Sequence, residues 1–237
     1  MKVRKVTVGS LIPISFLCLL LISGFMTDHI VNLVNSNVYT AVNRSCVIID
    51  AGHGGVDGGA VSCTGVYESN INLEISQKLN DLMHLLGINT KMIRTEDISI
   101  YSSGDSIAAK KISDLKERVK IVNSTKNGIL ISIHQNYFTD SRYRGAQVFY
   151  SKNSGALAKQ LQNDFVTFLN NGSKRKAKYA DGIYLMQNIT VPGALIECGF
   201  LSNPEEEALL RNHQYQQKIC CVICSSVSRY IYKSSIA

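Results

Sequence analysis

Four side chains, His53, Glu68, His134 and Glu197, have the types and spacing to do chemistry together. Three of them follow an apolar stretch that reads as a buried strand. Val47-Ile-Ile49 runs into Asp50-Ala-Gly-His53-Gly-Gly, Ile129-Leu-Ile-Ser-Ile133 into His134, and Ala194-Leu-Ile196 into Glu197. Glu68 opens a helical stretch just past the Gly-rich loop. Two histidines and one carboxylate are the ligand set of a catalytic zinc site, which keeps a fourth position open. A second carboxylate can then take a proton from water and pass it to a leaving amine, and Glu197 is placed for that task. The residues alone therefore point to a metal-assisted hydrolase.

Each of these residues also has a plain structural reading. The Gly-rich loop could be a tight turn with an incidental histidine. His134 could be a hydrogen-bonded core histidine, and Glu68 an acidic group favoured in a first helical turn. Glu197 is harder to dismiss, because an unpaired carboxylate at a buried strand end is costly. A phosphate loop is disfavoured, since neither G-x-G-x-x-G nor G-x-x-x-x-G-K-[ST] is present. His29, His84 and His213 fall in a spacer, on a helix and in a linker, and carry no assigned role.

The elements that must position these groups alternate. Strands are expected at Val47–Ile49, Ile88–Thr95, Ile129–Ile133, Gly145–Ser151, Gly182–Gln187 and Ala194–Glu197. Helices are expected at Glu68–Leu86, Leu115–Asn123, Ala156–Leu169, Pro204–Leu210 and Gln214–Tyr232, with Glu96–Ser113 as an irregular loop. In the first helix Ile71, Ile75, Leu79, Leu82 and Leu86 form one apolar face, and Gly87 ends it. This alternation predicts a single α/β domain with a mainly parallel central sheet flanked by helices. Parallel strands put their carboxyl ends on one edge, so residues far apart in sequence can converge there.

A chain of 237 residues, 45% of them hydrophobic, can bury one sizeable core. The net charge of +7 includes Lys2, Arg4 and Lys5; removing them leaves 22 basic against 18 acidic residues, a mild +4. Lys174-Arg-Lys-Ala-Lys178 is the one concentrated basic run, readable as a solvated turn face or as a contact for an anionic polymer. With no arginine-rich arm, stacking platform or zinc-finger spacing, no nucleic-acid partner is expected. Cys220, Cys221 and Cys224 lie among Ile219, Val222, Ile223 and Val227 and read as small core residues rather than metal ligands. Val6–Met26 is an uncharged run of 21 residues behind a basic start. It predicts export, with residues 1–27 as a signal peptide or signal anchor, 28–43 as a spacer and 44–237 as the body. Contact with a membrane is expected only through that N-terminal segment.

Taken together, Asp50-Ala-Gly-His-Gly-Gly, Glu68 fifteen residues beyond His53, Ser132-Ile-His-Gln-Asn136 and Glu197-Cys-Gly-Phe-Leu-Ser-Asn203 resemble the zinc-dependent N-acetylmuramoyl-L-alanine amidases of the bacterial cell wall. Arg94, Thr95, Arg118 and Asn123 also sit where that family has similar residues. The resemblance covers roughly Val47 to Tyr232. It implies zinc ligands at His53, Glu68 and His134 and a catalytic glutamate at Glu197. It also implies hydrolysis of the amide between N-acetylmuramic acid and L-alanine of the peptidoglycan stem peptide. The stretch Gly182–Ala194 is most similar to germination-specific amidases of spore formers, which implies trimming of spore-cortex peptidoglycan toward muramic-δ-lactam. Gln135 departs from the family, standing where alanine is common, and is expected at the rim of the cleft. Cys63 is a second departure, in the approach to Glu68. A zinc peptidase acting within the stem peptide and a non-catalytic peptidoglycan-binding protein are the alternatives. Ligands drawn from distant segments also leave room for an accessory envelope protein that orders the site.

Overall fold

The computed structural model describes residues 45–170 and 172–235. The expected leader and spacer lie outside those residues. Six strands and six helices follow in the order β1 (Cys46–Ala51), α1 (Glu68–Leu85), β2 (Thr90–Met92), α2 (Ile107–Ser124), β3 (Gly128–Asn136), β4 (Gln147–Tyr150), α3 (Gly155–Phe168), β5 (Lys178–Tyr179), α4 (Tyr184–Asn188), β6 (Gly193–Phe200), α5 (Pro204–Leu210) and α6 (His213–Ser235). The sheet order is β2-β1-β3-β6-β4-β5. Neighbours run parallel except β4, which lies antiparallel to β6. This is the expected α/β architecture.

Alternation along the central strands feeds two apolar layers. Ile48, Leu130 and Leu195 pack with Val122 of α2 and Leu185 and Met186 of α4 on one face. Their neighbours in sequence, Val47, Ile49, Ile131 and Ile196, are also fully buried, as is Ile133. α1 lies against β1 and β3, and α6 packs against both α1 and α3. Ile71, Ile75, Leu79 and Met83 of α1, and Ile219, Ile223 and Val227 of α6, are all buried. Burial on both faces explains why these strands read as unbroken apolar runs.

Several boundaries differ from expectation. Gly182–Gln187 contains no strand: Tyr184–Asn188 is the short helix α4, which buries Leu185 and Met186. Two adjacent buried residues in a short apolar run suit either element, and the edge position is taken by Lys178–Tyr179. The supposed loop Glu96–Ser113 overlaps α2, which starts at Ile107 because the Ser106 side chain accepts from Ala109 N. Its first turns leave Ile107 and Ile112 exposed, so no apolar stripe marked them as helical. Both β3 and β6 extend past their apolar runs, so His134 and Glu197 stand within strands, not at their ends. Cys220 and Cys224 are buried as expected, whereas Cys221 is exposed.

Below the carboxyl edge lies a buried ion pair. Arg118 of α2 contacts Asp50 of β1 and Asp114, and Asp50 also accepts from Ser132 Oγ at 2.6 Å. Arg118 further donates to Ala51 O at 3.0 Å and to His53 O at 2.7 Å. Burial alone would raise the Asp50 carboxyl, but Arg118 and Ser132 outweigh it and hold it below its ordinary value. Removing one partner of a buried pair strands the other charge. Arg118→Leu is therefore expected to destabilise the protein by about 3–5 kcal/mol, read by urea unfolding.

Candidate active site

The carboxyl edge brings three of the singled-out residues into one group. Ligand atoms of His53, Glu68 and His134 all lie within 4.8 Å of one another. Glu68 is the joint. Its Oε1 lies 3.0 Å from His134 Nδ1 and accepts from Gln135 N and Asn72 Nδ2, each at 3.1 Å. Its Oε2 lies 3.3 Å from His53 Nε2 and accepts from Ala60 N at 3.1 Å. The two imidazoles meet edge to face, with centroids 5.0 Å apart.

The local backbone explains how they reach each other. His53 has φ 61°, a left-handed conformation uncommon for a side-chain-bearing residue. Arg118 grips its carbonyl, and its Nδ1 lies 2.9 Å from Asp57 Oδ2. Lys111 of α2 holds the other Asp57 oxygen at 2.7 Å. Gly52 is required by proximity: a Cβ there would stand 2.2 Å from His134 Nε2. Gly59, at φ +70°, would likewise press a Cβ against Glu68 Oε2.

Glu197 completes the constellation. It is the cross-strand partner of His134 on one side and of Gln147 on the other. Directly paired residues share a face of the sheet, so His134, Glu197 and Gln147 form a row across β3, β6 and β4. Glu197 Oε2 is buried and has no hydrogen-bond partner among the described residues. An orphaned carboxylate oxygen beside a cluster of two imidazoles and a carboxylate fits a metal-centred hydrolytic site, where a ligand or water would meet it. Burial, helped by the nearby Glu68 charge and opposed by His134, pushes the Glu197 carboxyl up to about 7. Burial disfavours charge on His53, but Asp57 and Glu68 more than compensate and raise it to about 9. Glu68 is held below its ordinary value despite burial, because His134 and His53 favour its anion.

All four expected site residues thus converge. Gln135 does not lie at the rim: it is buried, and its Nε2 donates to Asn72 Oδ1 at 3.1 Å, bracing a partner of Glu68. Asp57 and Asn72 were not singled out from the sequence. Their signal was weak but present: an acidic residue four after His53, and an amide one helical turn after Glu68.

A family model described as N-acetylmuramoyl-L-alanine amidase matches residues 47–229. The chain belongs to the N-acetylmuramoyl-L-alanine amidase family. Among its relatives, the germination-specific N-acetylmuramoyl-L-alanine amidase of Bacillus subtilis is 39% identical over 188 residues, covering 78% of this chain and 78% of that protein. The CwlD amidase from Clostridioides difficile, solved in complex with the GerS lipoprotein, is 36% identical with a TM-score of 0.75. That match covers 80% of this chain and 98% of the solved one. An N-acetylmuramoyl-L-alanine amidase from Clostridium difficile 630 is 31% identical, with a TM-score of 0.67 over 79% of this chain and 97% of that one. The match to the amidase family spans every residue of the cluster.

Two outcomes follow for this site. Gly52→Ala should displace the His134 ring, so a folded variant, checked by circular dichroism, should bind less metal than the parent by elemental analysis. In metal-free protein the neutral form of Glu197 is the favoured one. Its contribution is therefore complete below the ordinary carboxyl value and lost as pH rises through about 7. Glu197→Gln should match the parent near pH 4 and exceed it by about 2–3 kcal/mol above pH 8 in urea unfolding of chelator-treated protein.

Proposed function

We propose that the chain is a zinc-dependent hydrolase that cleaves the amide between N-acetylmuramic acid and L-alanine of the peptidoglycan stem peptide. One observation carries the reading: the orphaned Glu197 Oε2 stands in register beside His134, whose imidazole joins His53 and Glu68 in a group of metal-ligand geometry. In this reading His53, Glu68 and His134 hold the zinc, and Glu197 is left free for proton transfer. Zinc bound there supplies a Lewis acid for the amide carbonyl and acidifies water. Glu197 takes the proton of the attacking water and delivers it to the leaving amine of alanine. Burial at the strand suits Glu197 to both halves of that exchange, since it raises the carboxyl's affinity for a proton above that of an exposed glutamate. Asp57 fixes the His53 ring through Nδ1, leaving Nε2 directed at the cluster.

The named relatives support a narrower setting. A relative described as germination-specific supports action on spore-cortex peptidoglycan, ahead of muramic-δ-lactam formation. A relative solved with a lipoprotein supports an accessory envelope protein for this chain too. Export through residues 1–27 would bring the body to that compartment. Among the described residues no helix is long and apolar enough to cross a membrane.

The test incubates purified peptidoglycan with the zinc-loaded full chain and identifies released peptides by mass spectrometry. Intact stem peptides beginning with L-alanine are expected; fragments cut between stem residues would instead make it a peptidase. Glu197→Gln should retain zinc while losing about 10²–10⁴-fold in rate, the usual worth of a general base. Chelation should abolish release, and added zinc should restore it.

A further inference from the structure

Where the chain enters β4 and β5 lies an open cavity of about 960 Å³ with a strongly basic wall. Its lining includes Tyr143, Arg144, Gln147, Lys174, Lys176 and Lys178. Gln147 is the cross-strand partner of Glu197, so the cavity begins one strand beyond the proposed base. Cross-strand neighbours stand about 5 Å apart.

The strand directions put the basic groups on the working edge. β4 runs antiparallel to β6, and β5 parallel to β4. The segments that enter β4 and β5, carrying Arg144 and Lys174–Lys178, therefore lie at the edge where β3 and β6 finish. Burial alternates along the segment that enters β5: Lys174, Lys176 and Lys178 are exposed while Arg175 and Ala177 are half-buried. Such alternation sets the three lysines on the exposed side of one segment.

Their anchoring is specific. Arg175 spends its guanidinium on structure, donating to Arg144 O at 3.0 Å and lying 5.0 Å from the Phe200 ring centre. Gln147 Nε2 donates to Lys176 O at 2.7 Å, pinning the lysine segment to the sheet. Arg144 pairs with exposed Glu205 at 3.3 Å, and the buried Glu206 carboxylate is already engaged by Gly145 N and Phe200 N. Among the described residues, Lys174, Lys176 and Lys178 have no ion-pair partner. Tyr143, on the cavity wall, meets Phe138 edge to face with ring centres 4.7 Å apart, an apolar patch beside the lysines.

We propose that this lysine-lined cavity binds the carboxylate-bearing peptide portion of the substrate, as an extended chain lying across the row His134–Glu197–Gln147. The proposal rests on the amidase reading above and adds the subsite that reads the peptide's charge. The peptide's carboxylates supply the missing counter-charges. The cavity determines affinity for the peptide, not the bond-breaking step.

The test compares the zinc-loaded full chain with a Lys174→Ser, Lys176→Ser, Lys178→Ser variant on two soluble muramoyl peptides, one with free carboxylates and one with those carboxylates amidated. On the free-carboxylate compound the variant's KM should rise about tenfold, with the loss confined to KM. A triple lysine-to-arginine variant should restore it. On the amidated compound parent and variant should share one KM. An unchanged KM on the free-carboxylate compound, or an equal rise on both, overturns the proposal while leaving the amidase reading intact. If the parent cleaves neither compound, the amidase reading fails, and calorimetric titration of the uncleaved free-carboxylate compound decides the cavity alone. Heat in the parent that is lost in the serine variant supports it, and equal heats overturn it. Polyglycerol phosphate binding that depends on the lysines, with no such dependence for the peptide, would overturn it in favour of a wall polyanion.

Discussion

One buried carboxylate holds the active edge together. Glu68 spends both oxygens across three segments: the Gly-rich loop through His53 and Ala60, its own helix through Asn72, and β3 through His134 and Gln135. A buried anion is stable only when it is amply hydrogen-bonded, and the partners here come from three different parts of the chain. The position at the start of α1 adds the favourable end of the helix dipole. Formation of the cluster and docking of α1 on the sheet are thus one event. A local fault in any of the three segments leaves an uncompensated charge at the centre.

Beneath this joint lies a second polar layer of opposite sign. Arg118 binds Asp50 and at the same time fixes the carbonyls of Ala51 and His53. Arg94 donates to the carbonyls of Ala51, Gly52 and Ser69. Two guanidinium groups therefore take up backbone acceptors that the departing chain leaves free as β1 ends. That support lets His53 hold a left-handed backbone that would otherwise relax.

Much of this was legible in the sequence because the signals were local. The apolar runs of β1 and β3, most of the α1 stripe and the four polar residues near them needed no tertiary information. Leu86, expected on that stripe, lies past the helix end and is exposed, while Met83 is buried in its stead. What escaped depended on partners distant in the chain. The strand at Lys178–Tyr179 carries two exposed residues and exists because β4 offers it an edge. The helix at Tyr184–Asn188 forms where Leu185 and Met186 meet Val122 and Leu195. Asp57 gains its meaning only once Lys111 and His53 flank it. Gln135 looks like a surface choice until Asn72 is seen beside it.

The reversed strand β4 has a consequence for how such a scaffold diversifies. In an all-parallel sheet, each strand contributes only the loop that follows it to the working edge. A strand run backwards begins at that edge, so residues 137–146 both leave β3 and enter β4 there, beside the loops that follow β1 and β6, and the entry to β5 joins them. These connections carry none of His53, Glu68, His134 and Glu197 and brace none of the Glu68 contacts. Insertions, deletions or changes of charge within them can reshape what the edge recognises while the chemistry stays untouched. The fold thereby separates the part that must stay fixed from the part that is free to vary, and the boundary between them runs between Glu197 and Gln147.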